Sequence, residues 1–285
     1  MEGLSKKTQL KLEELEQWFN SMPGSITAFS GGIDSSLVLY LARKWQGRER
    51  AIGVISKSES LKTKDFELAR SFSAQYDIHM EVIVTRELED DRYNENPIDR
   101  CFFCKDHLYS DLQSIREIYP GFEVLNGTNV DDQGDYRPGM QAGDEHDVRK
   151  PLIEAGFDKT EVRLLAEHWS LPIWDKSATP CLSSRIAYGR AVTAERVQRV
   201  DRAEQFLRRE FGLQECRVRH EMNDLARIEV PEDAISRLLD PAARQQLAAH
   251  LHGLGFKFVS LDLDGFRSGS MNAVIPVESL QKLKP

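Results

Sequence analysis

The stretch FSGGIDSS, residues 29–36, constrains this chain more than any other. It joins a short apolar run, SITAFS at 25–30, to DSSLVLYLARKW at 34–45, whose apolar positions recur at helical spacing. A strand that ends in two glycines and runs into a helix builds an anion site. The glycines let backbone N–H groups approach an oxyanion closely, and the helix start adds partial positive charge. Gly31 and Gly32 supply that bare backbone, Ser30, Ser35 and Ser36 supply hydroxyls, and Asp34 supplies a carboxylate for Mg2+. A Walker loop would end in Gly-Lys-Ser or Gly-Lys-Thr, whose lysine grips the β- and γ-phosphates when the terminal group leaves. No lysine stands in residues 29–36. The expectation is therefore a different cleavage, with pyrophosphate as the group held and released. The bland alternative is an ordinary glycine turn.

Downstream, strand-like and helix-like segments alternate: AIGVISKS at 51–58, KTKDFELARSFSAQY at 62–76, HMEVIVT at 79–85, then, after a polar stretch holding Cys101 and Cys104, the helical DHLYSDLQSIREIY. FEVLNGTN at 122–129 and KTEVRLLAEHWS follow, and a leading helix is expected over 5–20. This alternation predicts an α/β fold with a parallel sheet covered on both faces. Near residue 190 the style changes to a long charged helix, alternating ECRVRHEMNDLARIEV, a helical run from PEDAISRLL, and FKFVSLDLDGFRSGSM. We expect a first domain over 1–185 and a smaller C-terminal α+β domain over 186–285. The chain of 285 residues is long enough for both, and its net charge of −8 offers no global basic field for nucleic acid. No window has the apolar length of a membrane span or a signal peptide, and four cysteines are too few for a secreted disulfide scaffold. These features predict a cytoplasmic protein with reduced thiols.

SGGIDSS matches the SGGxDS signature of the PP-loop (N-type) ATP pyrophosphatases. Together with NPIDRCFFCK, GTNVDDQGDYRPG, CLSSRIAYG and LDGFRSGSMN, it resembles the LarE family along almost the whole chain. LarE proteins are ATP-dependent sulfurtransferases acting on pyridinium-3,5-biscarboxylic acid mononucleotide on the way to the nickel-pincer nucleotide. The resemblance implies a PP-loop domain and an ATP- and Mg2+-dependent adenylation of a pyridinium carboxylate. Sulfur then displaces AMP, and the family assembles as hexamers. GTNVDDQGDYRPG begins at a predicted strand end, so Gly127, Asp131, Asp132, Asp135 and Arg137 are expected to face the same crevice as the glycine loop.

In one branch of the family a lone cysteine, matching Cys181, gives up its own sulfur and becomes dehydroalanine. In another, three cysteines matching Cys101, Cys104 and Cys181 bind a 4Fe–4S cluster whose open iron carries added sulfide. Half a zinc site completed by Cys181 and Cys216, or a redox pair, competes for the CxxC; Cys216 is otherwise read as structural. Arg185 follows Cys181 closely and would lower its thiolate pKa if near in space. Arg217 and Arg219, two apart on an expected strand, share one face, opposite Cys216, Val218 and His220. With Arg267 they are candidates for the substrate's phosphate and carboxylates. Glu204 and Glu229 are weaker candidates for a metal or an oligomer interface. A PP-loop tRNA thiolase is the rival enzyme, opposed by the acidic charge and the missing RNA-binding cassette. A module that binds adenine nucleotide without turnover is the rival outside catalysis.

Overall fold

The computed structural model describes residues 3–134, 138–176, 180–267 and 271. The chain divides into two compact units: residues 1–87 with 101–179, and residues 88–100 with 180–285.

The first unit contains α1 (Lys6–Asn20), β1 (Ser25–Ala28), α2 (Ile33–Gln46), β2 (Ala51–Ser56), α3 (Thr63–Gln75) and β3 (His79–Ile83). The short α4 (Asp91–Asn94) belongs to the second unit; α5 (Arg100–Ile118), β4 (Glu123–Leu125), α6 (Pro138–Glu145), α7 (Pro151–Glu154) and α8 (Lys159–His168) complete the first. The strands form a parallel sheet in the order β3-β2-β1-β4, with Ser25 in register with Ala51 on one side and Glu123 on the other. Both faces are apolar. Leu37, Leu39, Ile55, Leu125, Phe157 and Leu165 form one core, and Ile26, Val54, Tyr109, Leu112 and Val124 form the other. That is why β1 reads as an unbroken buried run and not as an alternating one. Chain order reverses at β1: β2 lies on one side and β4 on the other. Such a switch point leaves a crevice at the carboxyl ends of the two strands.

The second unit contains α9 (Ala194–Phe211), β5 (Arg217–His220), β6 (Leu225–Glu229), α10 (Glu232–Leu239), α11 (Pro241–Gly253) and β7 (Phe258–Leu261). β5 and β6 are antiparallel, and β6 and β7 are parallel, with α10 and α11 as the crossover. The helical run read as one piece breaks at Asp240-Pro241. Proline at the first position of α11 cannot continue α10, and the Asp240 carboxylate caps Ala242 and Ala243. Among the described residues, no helix is long and apolar enough to cross a membrane.

Candidate active site

The loop after β1 is held by its own short side chains. Ser30 N donates to Ser35 Oγ at 3.2 Å, and the two hydroxyls lie 3.0 Å apart. Gly31 has φ +69°, and a Cβ there would come within 3.2 Å of Asp65 O. Ser36 Oγ is buried and has no hydrogen-bond partner among the described residues. Gly32 caps α2 without a side-chain bond, so the first turn keeps donors for a ligand.

The loop after β4 meets this one directly. Asn129 Nδ2 donates to Asp34 Oδ1 at 3.0 Å. Gly127 makes the approach possible: a Cβ there would lie 2.4 Å from Ser35 N and 2.7 Å from the carbonyl carbon of Asp34. Gly127, expected among the cofactor-binding residues, lets one loop rest on the first turn of α2. The acidic residues of this loop serve as caps. Asp132, buried, accepts from Asn129 N, and Asp131 accepts from Lys159 N, each at 3.0 Å. Asp135 and Arg137 lie outside the described residues.

Sequence reading missed two lysines. Lys159 opens α8, where an Asp158–Glu161 capping box fixes the turn, and its Nζ reaches Asp34 Oδ2 at 2.5 Å. Lys176 Nζ donates to Gly31 O at 2.8 Å and pairs with Asp65 at 2.9 Å. Both stand far from the loop in sequence, and their only local signal is a lysine beside a helix cap and one before an irregular stretch.

Cys101 and Cys104 sit at the start of α5, about one turn apart, and not in a polar stretch before it. The helix begins earlier because Phe102 packs on the same core as Tyr109 and Leu112. Their i, i+3 spacing puts both on one side of the helix, Cys101 exposed and Cys104 half-buried. Cys181, in the second unit, is half-buried and precedes a 3-10 turn, Leu182–Arg185. Among the described residues, no three His, Cys, Asp or Glu side chains are gathered as a metal site.

The turn after Cys181 is held by guanidinium groups. Arg185 Nη1 donates to Pro180 O at 3.1 Å, Arg100 Nη1 to Ser183 O at 3.0 Å, and Arg219 Nη1 to Ser184 O at 2.9 Å. Tyr93 Oη donates to Ser183 Oγ at 2.7 Å. Asn96, fully buried with φ +57°, donates Nδ2 to Ala187 O, Arg190 O and Ile186 O. Residues 93–100 thus form a strap on the segment 181–192.

Both faces of β5 are buried, so the arginines do not line an open surface. Arg185, 2% exposed, gives its Nε to Glu204 at 2.8 Å, and Arg208 takes the other oxygen of Glu204. Its charge is therefore met by Glu204, and its remaining donors serve the turn. Arg219 makes a two-pronged contact with Glu229, which also receives Arg227. Glu204 and Glu229, expected at a metal or an interface, are instead fully buried counter-charges. Arg217 is different. Among the described residues its nearest carboxylate, on Glu229, is 4.0 Å away, it donates to Arg267 O, and it lies over the Phe266 ring. Burial first, then Arg219 and Arg185, push its pKa down to about 10. Such a cation gains from an added anion. Arg267 is half-exposed and pairs with Asp264 at 2.9 Å. Cys216 is buried, its Sγ 3.8 Å from Glu204 O.

The NAD synthase family model matches residues 12–94. A Synechocystis protein, slr1717, uncharacterized, is 41% identical over 265 residues, covering 93% of this chain and 98% of that one. The pyridinium-3,5-bisthiocarboxylic acid mononucleotide synthase of Lactiplantibacillus plantarum is 39% identical over 245 residues, 86% of this chain and 87% of its own. The NMN synthetase of Francisella tularensis superposes with a TM-score of 0.49 at 18% identity, covering 60% of this chain and 75% of its own.

Proposed function

The chain belongs to the LarE family of ATP-dependent sulfurtransferases, and from that premise we propose that it adenylates a carboxylate of pyridinium-3,5-biscarboxylic acid mononucleotide and replaces AMP with sulfur. The observation that carries this is the pairing of the two loops at the β1 and β4 ends, with Asp34 between Asn129 and Lys159. In the first step a carboxylate oxygen attacks the α-phosphorus, the α–β bond breaks, and pyrophosphate leaves with the bonding electrons. Backbone N–H groups at the start of α2, with Ser30, Ser35 and Ser36, would hold the phosphates. Asp34 fits Mg2+, which takes one or two carboxylates and completes its shell with phosphates and water. Arg217 would receive an anionic group of the substrate, with Arg219 two residues on in the same strand and Arg267, whose carbonyl Arg217 holds, as further candidates.

For the sulfur we propose the donor set Cys101, Cys104 and Cys181. Three thiolates suit a 4Fe–4S cluster, which would supply a replaceable sulfide at its open iron. Two of the three lie one turn apart on α5, which supports the set, although no three ligands are gathered among the described residues. The alternative, that Cys181 spends its own sulfur, keeps the same adenylation. We also propose a homo-oligomer, a hexamer as the resemblance implies, and a cytoplasmic location.

The test is anaerobic turnover with MgATP, sulfide and the biscarboxylic mononucleotide. AMP, pyrophosphate and a thiocarboxylate product in equal amounts support the reading; nucleotide binding without pyrophosphate release overturns it in favour of a sensor. Iron analysis of the same preparation, and the mass of Cys181 after one turnover, separate the two sulfur sources.

A further inference from the structure

The first unit holds an opening at the far end of α2 from the glycine loop. α1 and α8 both pack on α2, and beside them lies a cavity of about 430 Å3. Buried Leu12 and the half-buried indoles of Trp45 and Trp169 line it. Trp45 is twelve residues beyond Ile33, where α2 begins, which sets it about 18 Å along the helix from the loop. The volume and the aromatic lining with few charged groups suit a small-molecule site.

The charges around this cavity favour a cation. Glu13 and Glu16 line it from α1, one turn apart and both exposed. Among the described residues neither forms an ion pair. Lys44 and His168 belong to the last turns of α2 and α8, so two helix C-termini bring partial negative charge to the same place. One cation already rests there. The Lys44 ammonium lies 6.0 Å from the centroid of the Trp169 ring and forms no ion pair among the described residues. It marks the negative face of that indole as open to a cation. Packing holds both rings in place: Trp169 against Tyr40 at 5.6 Å and His168 at 5.5 Å between centroids, and Trp45 against Phe19 at 5.5 Å. A ligand therefore meets preformed walls and spends little on ordering them.

We propose that this cavity binds a small alkylammonium cation. Trp45 and Trp169 form its walls, Glu13 and Glu16 its counter-charge, and Lys44 is a tethered competitor. Lys44 is exposed and has a flexible stem, so an entering cation takes its place over Trp169 while its own ammonium turns to water. An anionic ligand would meet two carboxylates and two helix C-termini. A neutral one would gain burial alone. The proposal is independent of the adenylation reading, because none of these residues belongs to the glycine loop or to the cysteine turn.

The test is a titration of the full chain at low salt, where exposed charges are least screened. The probes are choline and the neutral alcohol that has carbon in place of its nitrogen. Binding is followed through the indole N–H signals of the four tryptophans. Choline should move the signals of Trp45 and Trp169, and the alcohol should bind about tenfold more weakly. Lys44→Met should tighten choline binding by about threefold, since it removes both a competitor and a like charge. Glu13→Gln combined with Glu16→Gln should weaken it by roughly fivefold. All three side chains are exposed, so these variants spare the fold. Equal binding of choline and the alcohol would reduce the cavity to an apolar crevice and overturn the proposal. So would a Lys44→Met variant that binds choline no better than wild type, or choline shifts no larger at Trp45 and Trp169 than at Trp18 and Trp174. Shifts at Trp45 and Trp169 that follow protein concentration without choline would assign the cavity to a second copy of the chain and overturn it as well.

Discussion

The phosphate loop of the first unit and the cysteine turn of the second are built in opposite ways. The loop of residues 29–36 is contiguous and held by serine hydroxyls and bare backbone. Its charged partners, Lys159 and Lys176, touch it singly and at part-exposed sites. The turn of residues 180–185 adds to its own bonds, such as Ser184 Oγ to Cys181 O at 2.7 Å, a set of buried contacts from outside it. Arg100, Arg185 and Arg219 hold its carbonyls, Tyr93 holds Ser183, and buried Glu204 and Glu229 hold two of those arginines. The first device leaves donors open for a ligand that brings its own charge. The second spends its donors on orienting one short segment. Damage to the loop should therefore appear mainly in binding, and damage to the cysteine turn mainly in folding stability.

Glu229→Ala is the hardest blow to that contrast. It leaves Arg219 and Arg227 without their shared carboxylate inside the protein, and removing one partner of a buried pair costs about 3–5 kcal/mol. Urea unfolding should show the second unit melting first, with ATP binding retained under native conditions. A loss of less than about 1 kcal/mol would mean that water already reaches these charges.

Acid should act on the same unit. Burial, and then Arg190 and Arg199, lower the His220 pKa to about 4, although a hydrogen bond to Asp224 works the other way. His220 is therefore neutral in the fold, with Asp224, Arg190, Arg199 and the Phe256 ring around it. The hydrogen bond from His220 leads the causes that hold Asp224 down to about 2, so Asp224 stays charged throughout this range. A folded pKa below the ordinary 6.5 means stability that is full above pH 6.5 and is lost as pH falls toward 4. The loss should be at most about 3 kcal/mol. His220→Gln should flatten the pH dependence in that window; an unchanged slope would place the titration elsewhere.

How much of this was legible differs between the two devices for a physical reason. A phosphate cradle depends on consecutive backbone groups, so SGGIDSS displays it in one stretch. The parallel sheet was legible too, because buried strands and amphipathic helices leave periodic patterns. Lys159 and Lys176 were not, since a lone lysine carries no sign of the loop it will reach. The strap was hidden more deeply: Asn96 and Arg100 lie beside the CxxC in NPIDRCFFCK, yet their partners are carbonyls some 83 to 94 residues away. The arginines on β5 were located, but not their burial, because sequence spacing gives a face and not what covers it. Glu204 and Glu229 supply the charges that make that burial tolerable.

Gly127→Ala sharpens the contrast from the loop side. A Cβ would drive into the backbone of Ser35 and Asp34, so α2 must shift, at a cost of about 1–3 kcal/mol. Because the shift displaces the proposed phosphate donors themselves, MgATP affinity should fall by about tenfold or more, a larger relative effect than the change in stability. A variant that is destabilised but binds ATP normally would show that the two loops need not touch for nucleotide binding.

Tyr93→Phe asks the finest question of the strap. It deletes one hydroxyl and leaves the buried ring of Tyr93 in place. The lost bond to Ser183 is worth about 1 kcal/mol, and Ser183 Oγ, fully buried, loses its donor. If the strap serves to orient the cysteine turn, substrate-dependent ATP–pyrophosphate exchange should be unchanged while thiocarboxylate formation slows by more than the stability loss explains. If both rates hold and only unfolding shifts, residues 93–100 are packing for the second unit alone. The comparison of exchange with transfer decides between the two, because adenylation is proposed for the loop of the first unit and sulfur transfer for the turn that Tyr93 touches.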